Sequence, residues 1–299
     1  MTVHLRYQRN LGFLSAAEQE ELQNVKIAIG GGGGDGGEIA RLLVRTGVGC
    51  GPKGEIRLAD PEVFEVENTN RQTACTSETI GMNKADAVAA LLHRINPDAR
   101  IVVYPEGVTP ENLDEFVAGA DVVVDETDYT HAELAVMLHR ACRAKGIPLV
   151  MGMNIGFGGL VTTYAPDGPS WERHLGFTND PSLNEIAGAR VPLDRWCPYL
   201  PPYGDFDVLS EVAEGMKPAP SVAAGVSSIA SATVVEILWL LLRKLGNHRP
   251  APVMFPRALC VDPAAKRTRV IRWTRLNYYR HGAWLLLKKR IGLAPSTDY

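Results

Sequence analysis

Short apolar runs alternate with amphipathic segments through the first half of the chain. Residues 27–29 are apolar and end in glycines, whereas in residues 38–46 the apolar positions fall at helical spacing and Gly47 follows. The same alternation recurs from residue 25 to about 165, and it predicts a doubly wound, mostly parallel α/β sheet of the Rossmann-like type. The predicted strands are residues 27–29, 56–60, 101–104, 122–125 and 147–151, with strand-like character continuing over 157–164.

The second half of the chain has a different pattern. Residues 166–220 are rich in proline, glycine, aspartate and asparagine, and we interpret them as an irregular crossover loop. Residues 221–242 form one long apolar run, which we read as a helix buried in the core or in a dimer interface. Two strand-like runs and a basic amphipathic tail predict a C-terminal β/α extension. We therefore expect one domain over 1–299, made of a first half (1–165), the crossover loop (166–220) and a last part (221–299).

Composition and charge exclude several classes of protein. The 299 residues include 31 basic and 34 acidic ones, and the net charge of −3 disfavours nucleic acid as the main partner. The five cysteines form no C-x-x-C pair, which argues against a disulfide framework and a structural zinc site. The charged first ten residues hold no apolar signal-type stretch, so we expect a soluble, cytoplasmic protein with no membrane partner.

A run of glycines joins the first predicted strand to the first long helix. Gly31, Gly33 and Gly36 fit G-x-G-x-x-G, in which backbone amides and a helix N-terminus can approach a phosphate. Asp60 ends the next strand, where a carboxylate can accept hydrogen bonds from ribose hydroxyls. These two features suit a NAD-dependent dehydrogenase equally well.

Charged residues further along the chain favour a triphosphate instead. Arg71 and Lys84 can neutralise phosphate oxygens, and Asp128 at a strand end can hold Mg²⁺, which prefers oxygen ligands. Considered singly, Lys84 is equally a solvated helix charge, Arg71 a surface ion pair and Asp128 a turn residue. Their combination and order carry the signal.

The motifs together resemble the ThiF/MoeB/HesA superfamily, the ubiquitin-activating-enzyme-like adenylating enzymes, over residues 6 to about 164. The resemblance rests on R-Y-x-R at 6–9, the glycine loop ending in G-V-G at 47–49, the L-x-D strand at 58–60, N-x-N-R-Q at 68–72, I-G-x-x-K-A at 80–85 and D-x-x-D at 125–128. The zinc-binding cysteine pairs of many members are missing, so the chain resembles a zinc-less member. The resemblance implies a single adenylation domain over 1–299, with 1–165 as its nucleotide-binding half and 221–299 as its dimer or substrate half.

The resemblance implies roles for individual residues around ATP and Mg²⁺. Asp128 would bind Mg²⁺ and be the most sensitive catalytic position, and Arg9 would reach across a homodimer interface to the γ-phosphate of the partner's ATP. The nucleotide-binding residues would be Gly31, Gly33, Gly34, Gly36, Asp60 for the ribose, and Asn68, Arg71 and Lys84 for the phosphates.

The implied reaction is attack of a substrate carboxylate on the α-phosphorus, with release of pyrophosphate and formation of an acyl-adenylate. The carboxylate would belong to a peptide, a ubiquitin-like sulfur carrier or a small metabolite. Cys197 is a candidate thiol for a subsequent thioester, or else a half-buried loop cysteine packed by Trp196.

Two alternatives stay open. One is a dehydratase of the tRNA threonylcarbamoyladenosine type in the same superfamily. The other is an inactive pseudo-enzyme partner, because Asp35 stands in the glycine loop where the family usually has an apolar residue. We expect Asp35 to cap the following helix, since a carboxylate facing a triphosphate would repel it.

Overall fold

The computed structural model describes residues 5–246, 248–291 and 293. Eight strands form one sheet in the order β3-β2-β1-β4-β5-β6-β7-β8. The strands are β1 (Lys26–Gly30), β2 (Glu55–Ala59), β3 (Ile101–Tyr104), β4 (Val122–Asp125), β5 (Leu149–Ile155), β6 (Gly158–Tyr164), β7 (Arg257–Asp262) and β8 (Arg267–Arg272). The first five are parallel, and β6, β7 and β8 continue the sheet in antiparallel pairing. The prediction of a doubly wound, mostly parallel sheet with a C-terminal extension is confirmed.

Eleven α-helices lie among the described residues. They are α1 (Ala16–Gln23), α2 (Gly34–Thr46), α3 (Lys84–Ile95), α4 (Leu113–Val117), α5 (Ala132–Lys145), α6 (Trp171–Leu175), α7 (Leu183–Ala187), α8 (Leu193–Trp196), α9 (Phe206–Ala213), α10 (Ala223–Leu242) and α11 (Arg275–Arg290). Local signals set several ends. Ser15 and Glu18 form a capping box at the start of α1, and Gly47 ends α2 in the left-handed conformation.

Helices cover both faces of the sheet. On one face α2, α3 and α10 enclose a core that includes Ile39, Val88 and Ile229, all fully buried. On the other face α5 and the connection after β6 enclose a second core around Phe116 and Leu138. Because both faces are covered, β1 and β4 are buried at successive residues rather than at alternate ones.

The segment 166–220, which we expected to be irregular, contains four short helices. They are α6 to α9, and Trp171 of α6 is buried in an aromatic cluster with Tyr164, Trp196 and Trp273. The ring centroids of these pairs lie 5.4–5.6 Å apart, a spacing that stabilises edge-to-face contacts. The irregular crossover segment that we expected thus holds four helices of four to eight residues, which are too short to show a periodic pattern in the sequence.

One helix of the described residues, Ala223–Leu245, is long and apolar enough to cross a bilayer. Its Ile229, Val234 and Ile237 are buried in the same core as α2. Most of the helix is therefore accounted for as a core element of the domain, as expected from the sequence.

The order of the strands defines a crevice. β1 lies between β2 and β4, and the chain leaves β1 and β4 toward opposite faces of the sheet. In open α/β sheets, the loops beyond the carboxyl ends of such strands form the ligand-binding crevice. The loops after β1, β2 and β4 carry the glycine run, Asp60 and Asp128.

Candidate functional site

The loop after β1 can be built only from glycine at key positions. Gly31 has a φ of +105°, and a Cβ on it would lie 2.2 Å from the carbonyl oxygen of Glu126. A Cβ on Gly36 would lie 1.9 Å from the carbonyl oxygen of Gly31. Gly33, the N-cap residue of α2, has no side chain to cap the helix, so the first amides of α2 remain for an anion.

Asp60 is held against this loop. Its Oδ2 accepts a hydrogen bond of 2.7 Å from the Gly32 amide, and its Oδ1 accepts one of 2.9 Å from the Glu62 amide. Burial raises the pKa of the carboxyl, and the charge of Lys84 lowers it. The predicted ribose-binding residue therefore lies beside the glycine run.

Lys84 lies on the same side of the crevice as Asp60. It is the first residue of α3, it is buried, and its Nζ is 2.5 Å from Oε2 of the exposed Glu62. Burial raises the pKa of both the Asp60 carboxyl and the Cys75 thiol, and the charge of Lys84 lowers both values. The buried Lys84 is thus paired with a carboxylate that is exposed to solvent.

Asn68 lies in a short 3₁₀ helix, Val66–Asn70, and Arg71 directly follows it. Asn68 is buried and its Oδ1 accepts a hydrogen bond of 3.1 Å from the Glu65 amide. Arg71 donates from Nη1 to Oδ1 of Asn70 at 2.8 Å, and its charge lowers the pKa of both Asp35 and Cys75. Since Arg71 and Lys84 both act on Cys75, the two cations belong to one region.

Asp128 lies two residues beyond Glu126, whose amide donates to the Gly30 carbonyl at 2.8 Å. It is exposed, and its Oδ1 accepts hydrogen bonds of 2.8 Å from the amide and the hydroxyl of Thr130. Thr130 thus bonds Asp128, and α5 begins after His131 as its N-cap residue. Oδ2 of Asp128 is the oxygen that remains for a ligand.

Asp35 does not cap α2, contrary to our expectation. Its Oδ2 accepts hydrogen bonds from the amide and the side-chain nitrogen of Asn154, at 3.0 and 2.7 Å. Burial raises the pKa of Asp35 to about 6, and these hydrogen bonds and Arg71 lower it. The carboxylate is directed toward β5, and its Oδ1 is buried without a partner among the described residues.

Glu126 is a site residue that the sequence analysis missed. Its Oε1 accepts a hydrogen bond of 3.0 Å from the Gly152 amide, and its carbonyl oxygen is the atom that excludes a side chain at Gly31. Burial raises the pKa of Glu126 well above its usual value, and Asp35 and Asp125 raise it further. The one available signal was its position directly after the strand-ending Asp125.

Cys197 does not have the surroundings of a reactive thiol. It is buried, its Sγ donates to the Tyr199 carbonyl at 2.6 Å, and burial raises its pKa to about 12. A thioester-forming cysteine needs a lowered pKa and access to substrate. The alternative interpretation of a packed loop cysteine fits better, although Cys197 is fully rather than half buried.

Arg9 is exposed at the end of the 3₁₀ helix Leu5–Asn10, and its expected role across a dimer stays a prediction. No group of three or more His, Cys, Asp or Glu that could hold a metal occurs in the described part of the chain.

A glycine loop at the switch point of a doubly wound sheet, bordered by a carboxylate and two cations, defines a nucleotide-binding α/β protein. The sequence profile of the ThiF family matches residues 7–268. The chain therefore belongs to the ThiF family.

Three curated relatives are similar in sequence. The chain is 35% identical over 153 residues to the SAMP-activating enzyme E1 of Haloferax volcanii, over 51% of this chain and 54% of that protein. It is 35% identical over 125 residues to the tRNA threonylcarbamoyladenosine dehydratase of Escherichia coli, over 42% and 44%. It is 32% identical over 171 residues to the sulfur carrier protein ThiS adenylyltransferase of E. coli, over 56% and 64%. The aligned stretch thus spans about half the length of these relatives.

The fold extends the similarity beyond these aligned stretches. The crystal structure of E. coli MccB with ATP has a TM-score of 0.64 to this chain, at 16% identity, and the match covers 91% of this chain and 73% of that one. At this identity the likeness shows a shared fold over most of this chain.

Proposed function

We propose that the chain is an ATP- and Mg²⁺-dependent adenylyltransferase that activates a substrate carboxylate. The observation that carries the proposal is the contact between Asp60 and the glycine loop, with the buried Lys84 beside them. A NAD-dependent dehydrogenase would also need the glycine loop and Asp60, but it would not need a buried lysine beside the phosphates. The ThiS adenylyltransferase among its relatives supports the same reaction.

In the proposed reaction, an oxygen of the substrate carboxylate forms a bond to the α-phosphorus of ATP. The bond from that phosphorus to the pyrophosphate oxygen breaks, which yields an acyl-adenylate. The loop amides and the start of α2 bind phosphate oxygens, Lys84 exchanges Glu62 for a phosphate, and Arg71 exchanges Asn70. This chemistry depends on alignment and charge neutralisation, so it requires no Ser-His-Asp or Cys-His set.

Asp128 would hold the Mg²⁺. A hard cation favours a carboxylate oxygen, and Asp128 is exposed with Oδ2 outside its two recorded hydrogen bonds. When bound, the ion would neutralise charge on the phosphates. Arg9 of one protomer would complete the site of the other in a cytoplasmic homodimer. The carboxylate would come from a peptide, a ubiquitin-like sulfur carrier or a small metabolite.

Exchange of labelled pyrophosphate into ATP tests the proposal, with peptides, sulfur-carrier proteins and carboxylic metabolites supplied in separate pools. We expect carboxylate-dependent exchange that falls by about 100-fold or more in Asp128→Ala and Lys84→Ala. Asp114→Ala, which removes an exposed aspartate of α4, is the matched control and should stay within about twofold. Binding of NAD(H) without binding of ATP would overturn the proposal, and ATP binding with no exchange in any pool would favour the pseudo-enzyme.

A second candidate is a dehydratase of the tRNA threonylcarbamoyladenosine type. The relative of that name and the basic end of α11, with Lys288, Lys289 and Arg290, favour it. This candidate would use the same nucleotide site. The two candidates therefore differ in the substrate, which is tRNA in one case and a peptide, carrier protein or metabolite in the other. ATP consumption that depends on added tRNA, and on no peptide or carrier protein, would select it.

A further inference from the structure

A groove lined by arginines lies at the opposite end of the sheet from the glycine loop. It is enclosed by β8, α11 and the segment 199–202, and its volume is about 440 Å³. Four exposed arginines line it, and apolar side chains, among them Leu200 and Trp284, complete it. The arginines are Arg267, Arg269, Arg272 and Arg280. A volume of this size is within the range of sites for small ligands or a few residues of a peptide.

The charge of this region contrasts with the rest of the chain. Residues 263–290 contain nine lysines and arginines and no aspartate or glutamate, whereas the remaining residues hold 22 basic and 34 acidic ones. In the described part of the chain, none of the four groove arginines forms a salt bridge. Their neighbours Arg275 and Lys289 do, with Asp194 and Asp207. Among the described residues, the four groove arginines thus lack the carboxylate partners that Arg275 and Lys289 have.

The positive charges of three groove arginines converge on His281. Burial lowers the pKa of His281, and the charges of Arg269, Arg280 and Arg267 lower it further. Like charges that converge without counterions repel one another, and an anion bound between them removes that repulsion. Guanidinium groups bind carboxylates through paired hydrogen bonds.

We propose that this groove docks an acidic segment of the polypeptide whose carboxylate is activated; its status as substrate rests on the proposed adenylation. The groove combines guanidinium groups with apolar walls, namely Leu200, Ile271 and Trp284, which suits carboxylate side chains interspersed with apolar ones. A single-stranded nucleic acid is the competing partner, because its phosphates would pair with the arginines and its bases would stack on Trp284. The net charge of −3 opposes long-range attraction of nucleic acid and favours the polypeptide.

A chain of contacts joins the groove to the glycine loop. Tyr203, next to groove residue Pro202, accepts a hydrogen bond of 2.8 Å from the amide of Phe157, in the turn between β5 and β6. Asn154 of β5 holds Asp35 of the loop. A polypeptide anchored in the groove therefore docks on the same connected body as the nucleotide site.

Fluorescence anisotropy with the full-length chain tests the docking site without ATP. The probes are a labelled peptide of alternating glutamate and leucine, the same peptide with glutamine for glutamate, and a labelled oligouridylate. The variants are the double change Arg269→Gln and Arg280→Gln, and Arg290→Gln as a matched control on the same helix but outside the groove. Thermal unfolding and ATP binding of each variant verify that fold and nucleotide site are intact.

The glutamate peptide should bind, and the double variant should weaken its binding by about tenfold or more. Arg290→Gln should change the affinity for the glutamate peptide by less than about twofold. The parent chain should bind the glutamine peptide about as weakly as the double variant binds the glutamate peptide. Tighter binding of oligouridylate, or peptide binding that the double variant leaves unchanged, would overturn the docking site. Loss of pyrophosphate exchange with retained peptide binding would instead count against the adenylation alone.

Discussion

The two ends of the sheet handle charge in opposite ways. At the crevice beyond β1, β2 and β4, each charged side chain that faces the loop has a hydrogen-bonding partner, as Asp60, Lys84 and Asp35 show. At the antiparallel end, the arginines of β8 and α11 are exposed and line an open groove. The first arrangement is pre-organised for one ligand of fixed shape, whereas the second suits a partner recognised by charge and apolar contact.

The ends also differ in how tightly the backbone is packed, and the same substitution at two helical glycines exposes the difference. A Cβ on Gly36 of α2 would lie 1.9 Å from the Gly31 carbonyl, whereas one on Gly282 of α11 would lie 3.8 Å from its nearest neighbour, Leu200. We expect Gly36→Ala to lower the free energy of unfolding by about 3 kcal/mol or more and to abolish ATP binding, because the loop must move.

Gly282→Ala is the control for that prediction. It should raise the free energy of unfolding by about 0.5–1 kcal/mol, since alanine is the better helix former and nothing blocks it. Urea denaturation and ATP titration of both variants measure the effects. Equal stability of the two variants would contradict the claim that the nucleotide end is the tighter one.

The nucleotide end was also the more predictable from sequence. Strands, glycine loop, Asp60 and Lys84 follow one another in short motifs whose spacing reflects the local geometry of strand, turn and helix. The partner of Asp35 could not be predicted, because Asn154 lies 119 residues away and reaches it only through the register of β4 and β5. Glu126 was missed for the same reason. The groove is formed by segments 199–202 and 267–284, whose contact no local pattern encodes.

The buried carboxyl of Asp35 makes the nucleotide end sensitive to pH. Its pKa is raised to about 6 in the folded chain, so between pH 4 and pH 6 the folded state binds more protons than the unfolded state. The free energy of unfolding should therefore fall as the pH rises through this window, by at most about 3 kcal/mol.

Asp35→Asn removes the ionisation but keeps an oxygen that can accept from Asn154. We expect the variant to be more stable than the parent by about 2 kcal/mol at pH 7.5 and equal to it at pH 4, and to bind ATP more tightly because a negative charge is gone. Urea denaturation at several pH values measures this. Asp98→Asn, at an exposed position, is the control, and its free energy of unfolding should depend on pH as that of the parent does. The prediction would be contradicted if the free energy of unfolding of Asp35→Asn also followed the pH dependence of the parent.

The smallest expected effect concerns how the basic end is attached to the body. Oδ2 of the buried Asp194 in α8 accepts hydrogen bonds from Arg275 at 2.7 Å and Tyr279 at 2.5 Å, both on α11. Since α11 buries only Leu285, polar contacts hold it, namely these bonds and the hydrogen bond from Lys288 to the Pro202 carbonyl. In Asp194→Ala, amide hydrogen exchange in α11 should rise by about tenfold while exchange in α2 stays unchanged. Asp207→Ala, which removes the exposed partner of Lys289, should leave both unchanged. Faster exchange in α2 as well would mean that the nucleotide region and the basic region unfold together. The two regions would then differ in charge and not in local stability.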